Sequence, residues 1–241
     1  LKVVAVIPAR WASTRFPGKP LAKINGKPML QWVVEAAKQC SLLSKVIVAT
    51  DNGPIFELAQ SLGVQAAMTA ETLPTGTDRV YAATLNEDCD VVVNIQGDEP
   101  LLKPDHLEAL ISPFGADASL DMATLCAELP SRDLHSKDVV KVIKNQFGDA
   151  LYFSRFPIPY SRLDAPPSNL ACWKHIGLYA YKKSVLKELC AQPQAELEKG
   201  ESLEQLRALY LGKRIRVEYV TQGLHGVDNP EDIERVESLL D

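Results

Sequence analysis

Three cations and no acid stand in the run Val6-Ile7-Pro8-Ala9-Arg10-Trp11-Ala12-Ser13-Thr14-Arg15-Phe16-Pro17-Gly18-Lys19-Pro20. Arg10 and Arg15 carry planar forks that match phosphate oxygens, and Lys19 is a compact point charge suited to a triphosphate. Gly18 admits a close backbone, and Ser13 and Thr14 add hydroxyl and amide donors. The run follows an apolar strand, Lys2 to Ile7, and the C-terminal edge of a parallel sheet is where such a loop meets a polyanion. It is not a Walker loop, because Pro20 stands where Ser or Thr would bind magnesium. No Gly-x-Gly-x-x-Gly follows a strand. Charge content alone fits a solvated surface loop equally well; the position after a core strand favours a ligand.

A second group of residues could hold a hard cation. Asn94-Ile95-Gln96-Gly97-Asp98-Glu99-Pro100 ends the most apolar stretch of the chain. An acid at such a strand end is placed to bind magnesium, and Gly97 permits the turn that presents Asp98. Asp98 reads equally as a turn acid before the helix that opens near Pro104. Asp228, in His225-Gly226-Val227-Asp228-Asn229-Pro230, is a second candidate ligand or an ordinary helix start. Thr75-Gly76-Thr77-Asp78-Arg79 precedes a helix, so its hydroxyls and amides suit a base or ribose, or simply a cap. Arg155 ends the strand of Phe153-Ser154-Arg155. His175 and Tyr179 are four apart in a strand and face one side. Glu204 and Gln205 sit beside Arg207 in a predicted helix. One carboxylate-binding Arg plus several hydroxyl-binding groups would suit a polyhydroxy sugar acid; for His175 and Tyr179 a satisfied core pair is the competing reading.

These residues need a scaffold, and the hydrophobic pattern supplies one. Strands are predicted at Lys45 to Ala49 and Asp90 to Ile95, and helices at Met29 to Gln39, Ile55 to Leu62, Asp78 to Leu85 and Pro104 to Ile111. This βαβ rhythm implies a parallel sheet with right-handed crossovers. After about Asp121 the rhythm changes. Met122 to Glu128, Val139 to Lys144, Ala150 to Phe153, Trp173 to Tyr181 and Arg214 to Val220 read as strands. A Pro-rich loop spans Phe156 to Ser168. Helices are predicted at Lys182 to Cys190, Leu203 to Leu211 and Glu231 to Leu240. The middle section reads as an excursion carrying one wall of a cleft or a subunit contact.

The 241 residues fit one large α/β domain, and 46% hydrophobic content is ample for a core. A net charge of −5 argues against general nucleic-acid binding, so a cationic loop on an acidic protein points to a small anionic ligand. No apolar run reaches the roughly 20 residues of a membrane span, and no signal peptide is read at the N-terminus. The five cysteines are widely spaced, which predicts free thiols in a reducing cytoplasm rather than a zinc site.

Taken together, IPARWASTRFPGKPLAKINGKPML, VIVATD, TGTDRV, VVVNIQGDEPLL, ALYFSR, HIGLYAY, LEQLRAL and VDNPEDIERV resemble the sugar-acid cytidylyltransferases, most of all those acting on 3-deoxy-D-manno-octulosonate (Kdo). The pieces fall in order from the first strand to the last helix. The resemblance implies a nucleotidyltransferase-type, Rossmann-like α/β fold in one domain. Residues 1–120 would bind CTP, about 121–220 would bind the sugar and carry a homodimer contact, and 221–241 would hold a metal loop and final helix. It implies Mg2+-dependent transfer of CMP from CTP to Kdo for lipopolysaccharide assembly in the cytoplasm, with no nucleic-acid or membrane partner. By the same resemblance, Pro8, Ala9, Arg10, Ser13, Arg15, Lys19, Thr77, Asp78, Arg79 and Gln96 would surround CTP. Lys19, Arg15 and Asp98 would be catalytic, and Asp98 with Asp228 would hold magnesium. Gln96, Arg155, His175, Tyr179, Glu204 and Gln205 would hold the sugar acid. Leu73-Pro74-Thr75 departs from the polar stretch usual in such relatives. That departure leaves an 8-amino analogue of Kdo open; the nearest rival enzyme makes CMP-sialic acid, a more distant one couples a nucleotide to a sugar or polyol phosphate, and an inactive nucleotide-binding protein is the non-enzyme alternative.

Overall fold

A computed structural model describes residues 1–12, 16–162 and 172–240. In chain order the strands are β1 (Val3–Ala9), β2 (Lys23–Ile24), β3 (Lys27–Pro28), β4 (Lys45–Thr50), β5 (Gln65–Met68), β6 (Val91–Asn94), β7 (Met122–Ala127), β8 (Lys141–Lys144), β9 (Ala150–Ser154), β10 (Cys172–Lys182) and β11 (Ile215–Tyr219). The helices are α1 (Met29–Gln39), α2 (Gly53–Ser61), α3 (Gly76–Ala83), α4 (Pro104–Ala116), α5 (Lys183–Ala191), α6 (Glu196–Glu201), α7 (Gln205–Tyr210) and α8 (Asp232–Leu240).

β1 is buried on both faces except at Pro8, so it can only be an interior strand. It pairs in parallel with β4 and β6, and the sheet runs β11-β7-β10-β6-β1-β4-β5. Alternation along β1 sorts two cores. Val3, Ala5, Ile7 and Ala9 meet Leu30 and Val33 of α1, Ile55 of α2 and Leu107 of α4. Val4 and Val6 belong with Val80 of α3, Leu186 of α5 and Leu206 of α7. The sheet is thus covered by helices on both sides, the layering the βαβ rhythm predicts.

The second half stays closer to that sheet than its strand-rich pattern suggests. Every residue of β7 is buried, so β7 is also an interior strand. β10 lies between it and β6, antiparallel to both, and β11 rejoins in parallel. What leaves the sheet is the β8–β9 ribbon, which branches from β10. β5 and α6 escape the hydrophobic pattern. Gln65-Ala-Ala-Met68 is a half-exposed edge strand of weak β-formers, and Glu196–Glu201 is a short, charged turn of helix. α4 runs on past Ile111 through Pro113, with buried Phe114 holding its last turn. α3 begins at Gly76, two residues before the predicted start, because Thr75 and Asp78 form a capping box.

The ribbon is anchored by a fully buried lysine. Lys141 Nζ donates to the carbonyls of Ser136 (2.5 Å), Val139 (2.9 Å) and Arg155 (2.7 Å). The ammonium thereby ties together three carbonyls in a part-buried setting. Lys141→Met is expected to lower unfolding stability by about 3 kcal/mol, as loss of charge-assisted bonds does. Urea denaturation checks this; a change under about 1 kcal/mol would mean that water replaces the ammonium.

Candidate active site

The parallel registers Ala9↔Thr50 and Val6↔Asn94 bring the ends of β1, β4 and β6 to one edge of the sheet. Pro8 and Ala9 are the last residues of β1. A Cβ on Gly97 would lie 3.1 Å from the Pro8 carbonyl oxygen. Glycine there favours the close approach of two strand-end loops, since a Cβ would press on backbone. Gln96 Nε2 donates to Asn94 Oδ1 at 3.2 Å, and Asn94 lies opposite Tyr179 of β10. Ser13, Thr14 and Arg15 lie outside the described residues. Among the described residues Arg10 makes one long contact, Nη1 to the Pro74 carbonyl at 3.5 Å.

Lys19 lies between two acids. Its Nζ donates to Asp98 Oδ2 at 2.6 Å and to the Val227 carbonyl at 2.9 Å, with Asp228 Oδ1 at 4.0 Å. Val227 N–H returns a bond to the Asp98 carbonyl at 2.9 Å. The loop before α8 is thus docked on the loop after β6. His106 of α4 helps aim it: Nδ1 accepts from Lys103 N–H (3.0 Å), leaving Nε2 to donate to the Gln222 carbonyl (2.9 Å). Glu99 is a third acid here, unmarked by sequence reasoning because its neighbour Asp98 absorbed the signal. Its Oε2 is buried with no hydrogen-bond partner among the described residues, and burial, reinforced by Asp98 and Asp228, pushes its carboxyl up to about 8.

Two hard carboxylates next to a lysine suit magnesium, which takes one or two protein carboxylates and fills the rest of its shell with phosphate and water. Among the described residues no group of three or more His, Cys, Asp or Glu is arranged to hold a metal by itself.

A separate pocket on the α7 side of the sheet is lined by Thr77, Tyr179, Tyr181, Glu204, Gln205 and Arg207, among others. Glu204 accepts from Thr77 Oγ1 at 2.9 Å and lies 3.8 Å from Arg207 Nη2. Burial raises its carboxyl, opposed by Thr77 and Arg207. Arg207 is itself held bidentately by Glu198 at 2.8 and 2.5 Å. Gln205 Nε2 is buried with no partner among the described residues. Tyr181 was detectable from sequence, since it stands two residues beyond Tyr179 and shares its face.

Not every expected residue lines this pocket. His175 is buried behind Tyr179, with ring centroids 5.6 Å apart, and its Nε2 meets Thr124 Oγ1 at 2.9 Å. Arg155 places Nε on the Glu201 carbonyl (2.8 Å) and Nη1 on the Lys137 carbonyl (2.9 Å). Asp78 directs its carboxylate to the cap, accepting from Thr75 N–H at 3.1 Å and Thr75 Oγ1 at 2.7 Å. Arg79 is fully buried and pairs with Asp51 at 2.7 Å.

A family model described as cytidylyltransferase matches residues 4–215. The chain is 52% identical over 242 positions to a 3-deoxy-manno-octulosonate cytidylyltransferase of Bdellovibrio bacteriovorus, covering 100% of this chain and 98% of that one. It is 45% identical to a relative of the same name from Geobacter metallireducens, again covering 100% of this chain and 98% of that one. Among solved structures it is similar to a CMP:2-keto-3-deoxy-manno-octonic acid synthetase complexed with CTP. That match has a TM-score of 0.94 and 41% identity, covering 100% of this chain and 98% of the other. A 4-diphosphocytidyl-2C-methyl-D-erythritol synthase from Anaerococcus prevotii shares the fold alone, at TM-score 0.65 and 13% identity over 99% of this chain and 96% of that one.

Burial holds His175 neutral by lowering its pKa from 6.5 to about 3. The unfolded chain binds the extra proton as pH falls below 6.5, so stability is lost from there toward pH 3. The full slope for one proton is about 1.4 kcal/mol per pH unit. His175→Gln is expected to flatten the acid limb between about pH 6 and 4 in a series of thermal melts; an unchanged slope would assign the acid sensitivity to other groups.

Proposed function

This chain belongs to the cytidylyltransferase family, and from that premise we propose that it transfers CMP from CTP to the anomeric hydroxyl of Kdo, releasing pyrophosphate. The observation that carries this reading is the Lys19 ammonium held between Asp98 and Asp228 at the strand edge from which Arg10 emerges. Cations and carboxylates alternate there as a nucleoside triphosphate and its metal require. The pocket formed by Thr77, Tyr179, Glu204 and Gln205 supports a polyhydroxy acceptor, because its polar groups are hydrogen-bonding rather than a second cluster of cations.

The reaction is an in-line displacement. The sugar hydroxyl oxygen forms a bond to the α-phosphorus as the bond from that phosphorus to the bridging β-phosphate oxygen breaks. Such a transfer depends on positioning and charge neutralisation more than on covalent help from protein. Arg10 and Lys19 neutralise the departing pyrophosphate. Glu204 and Gln205 orient sugar hydroxyls, and Tyr179 walls the acceptor beside the end of β6. Asp98 and Asp228 would hold magnesium, which supplies charge neutralisation at the phosphates and lowers the pKa of a nearby hydroxyl. Thr75 joins the two sides through Asp78 and a 3.3 Å contact to Glu204, so Leu73-Pro74-Thr75 bears on the acceptor pocket.

The chain also acts as a homodimer in this proposal. β9 pairs only with β8 among the described strands, and Phe147, Leu151, Phe156 and Tyr160 are exposed on and around the ribbon. An apolar, unpaired strand edge of this kind is a natural partner surface. No helix among the described residues is long and apolar enough to cross a membrane.

Pyrophosphate release from CTP and Mg2+ is expected with Kdo, and at much lower rate with 8-amino-Kdo or sialic acid. Silence with all three would remove the proposed reaction. Asp98→Asn is expected to cut turnover roughly 100- to 1,000-fold with little change in melting temperature, as loss of a transition-state charge contact does. Near-normal activity would exclude Asp98 as a metal ligand. Leu151→Arg with Phe156→Asp is expected to yield monomers in sedimentation velocity; an unchanged dimer would place the interface elsewhere.

A further inference from the structure

The cations facing the triphosphate need fixed backbone positions, and the described ends of their loop meet at one residue. Trp11 carbonyl accepts the Gly18 N–H at 3.1 Å. Gly18 has φ of +71°, and a Cβ there would lie 3.1 Å from the Trp11 ring. Lys19 follows directly, its own N–H bonded to the Phe16 carbonyl at 3.2 Å. Trp11 therefore holds the stretch that leads into Lys19, and Arg10 directly precedes it.

Trp11 is in turn tied to a different strand. Its N–H donates to Asp51 Oδ1 at 3.2 Å. Asp51 is the residue just beyond β4, one position past the Ala9↔Thr50 pair. Its other oxygen, Oδ2, accepts from buried Arg79 Nη2 at 2.7 Å. Arg79 Nη1 donates to the Thr69 hydroxyl, whose own proton goes to the Thr50 carbonyl at 3.1 Å. Arg79 thereby fixes the carboxylate, and the carboxylate fixes Trp11. Asn52, not Asp51, supplies the side-chain cap of α2, so capping does not explain Asp51.

We infer that Asp51 is a positioning residue for CTP binding: through Trp11 it sets where Arg10 and Lys19 stand. This rests on the proposal that Arg10 and Lys19 face the triphosphate. Asp51 itself touches no substrate. Its negative charge also lies between the buried Arg79 and the loop, where Arg10 and Arg79 repel one another. Removing it would loosen the loop and leave that repulsion unopposed.

The test is steady-state kinetics of the full chain with CTP, Mg2+ and Kdo, for wild type, Asp51→Asn and Asp51→Ala. Wild-type turnover comes first: its absence would overturn the reaction assignment rather than the role of Asp51. Given turnover, KM for CTP is expected to rise about tenfold in Asp51→Ala, with KM for Kdo within about twofold. Asp51→Asn keeps an oxygen that can accept the Trp11 N–H, so its rise should be the smaller. If Asp51 serves only to keep Arg79 folded, the variant lowers the active fraction: kcat falls and KM for CTP does not move. That result, or an equal rise in both KM values, overturns the inference. Should Asp51→Ala fail to fold, the isosteric Asp51→Asn carries the test. An unchanged KM for CTP in a folded Asp51→Ala variant overturns it equally.

Discussion

Parallel registration of β1 with β4 on one side and β6 on the other is the constraint on which the site depends. Three strands running the same way must end at the same edge. Whatever follows each of them is brought together without being adjacent in sequence. Arg10 follows β1, Asp51 follows β4, and Gln96 and Asp98 follow β6. Gly97 sets how closely two of these ends approach, because any side chain there would meet the Pro8 carbonyl. The helices on both faces keep these strands out of water, so their polar ends emerge only at the edges.

Charge at that edge is balanced locally. Lys19 answers Asp98 and Asp228, Asp51 answers Arg79, and Glu99 is left in a place where burial and two neighbouring carboxylates favour its protonated form. An acidic protein thus presents at this edge a patch of fixed cations and anions in close alternation.

The pocket on the α7 side is built on a different logic. Gln205 enters from α7 and Glu204 from the position before it, Thr77 from α3 and Tyr179 from β10, and the Glu204 carboxylate lies 3.8 Å from Arg207, itself paired with Glu198. β10 is the physical link between the two sides, since Tyr179 lies opposite Asn94 at the end of β6. Its antiparallel insertion lets a strand from the second half of the chain reach the edge defined by the first.

The hydrophobic pattern was enough to place most elements. α1 agrees with its predicted bounds at both ends, and the apolar runs at β1, β4 and β6 could only be buried strands. Chemically informative residues in the loops that follow strands, Asp98 and Lys19 among them, could be read from type and position. The pairing of β10 between β6 and β7 was not legible, because local periodicity does not say which strand lies beside which. Nor were the roles of side chains that face inward. Arg79 sits one residue from Asp78 and two from Thr77, yet the helical turn sends Thr77 toward Glu204 and Arg79 toward Asp51. Sequence by itself determined the fold class, the cation-rich strand end and the family resemblance, since these depend on residue type and short-range spacing. Only the tertiary structure decided which carboxylate meets which cation, because an ion pair is set by distances of a few ångströms between residues as far apart in the chain as Lys19 and Asp228.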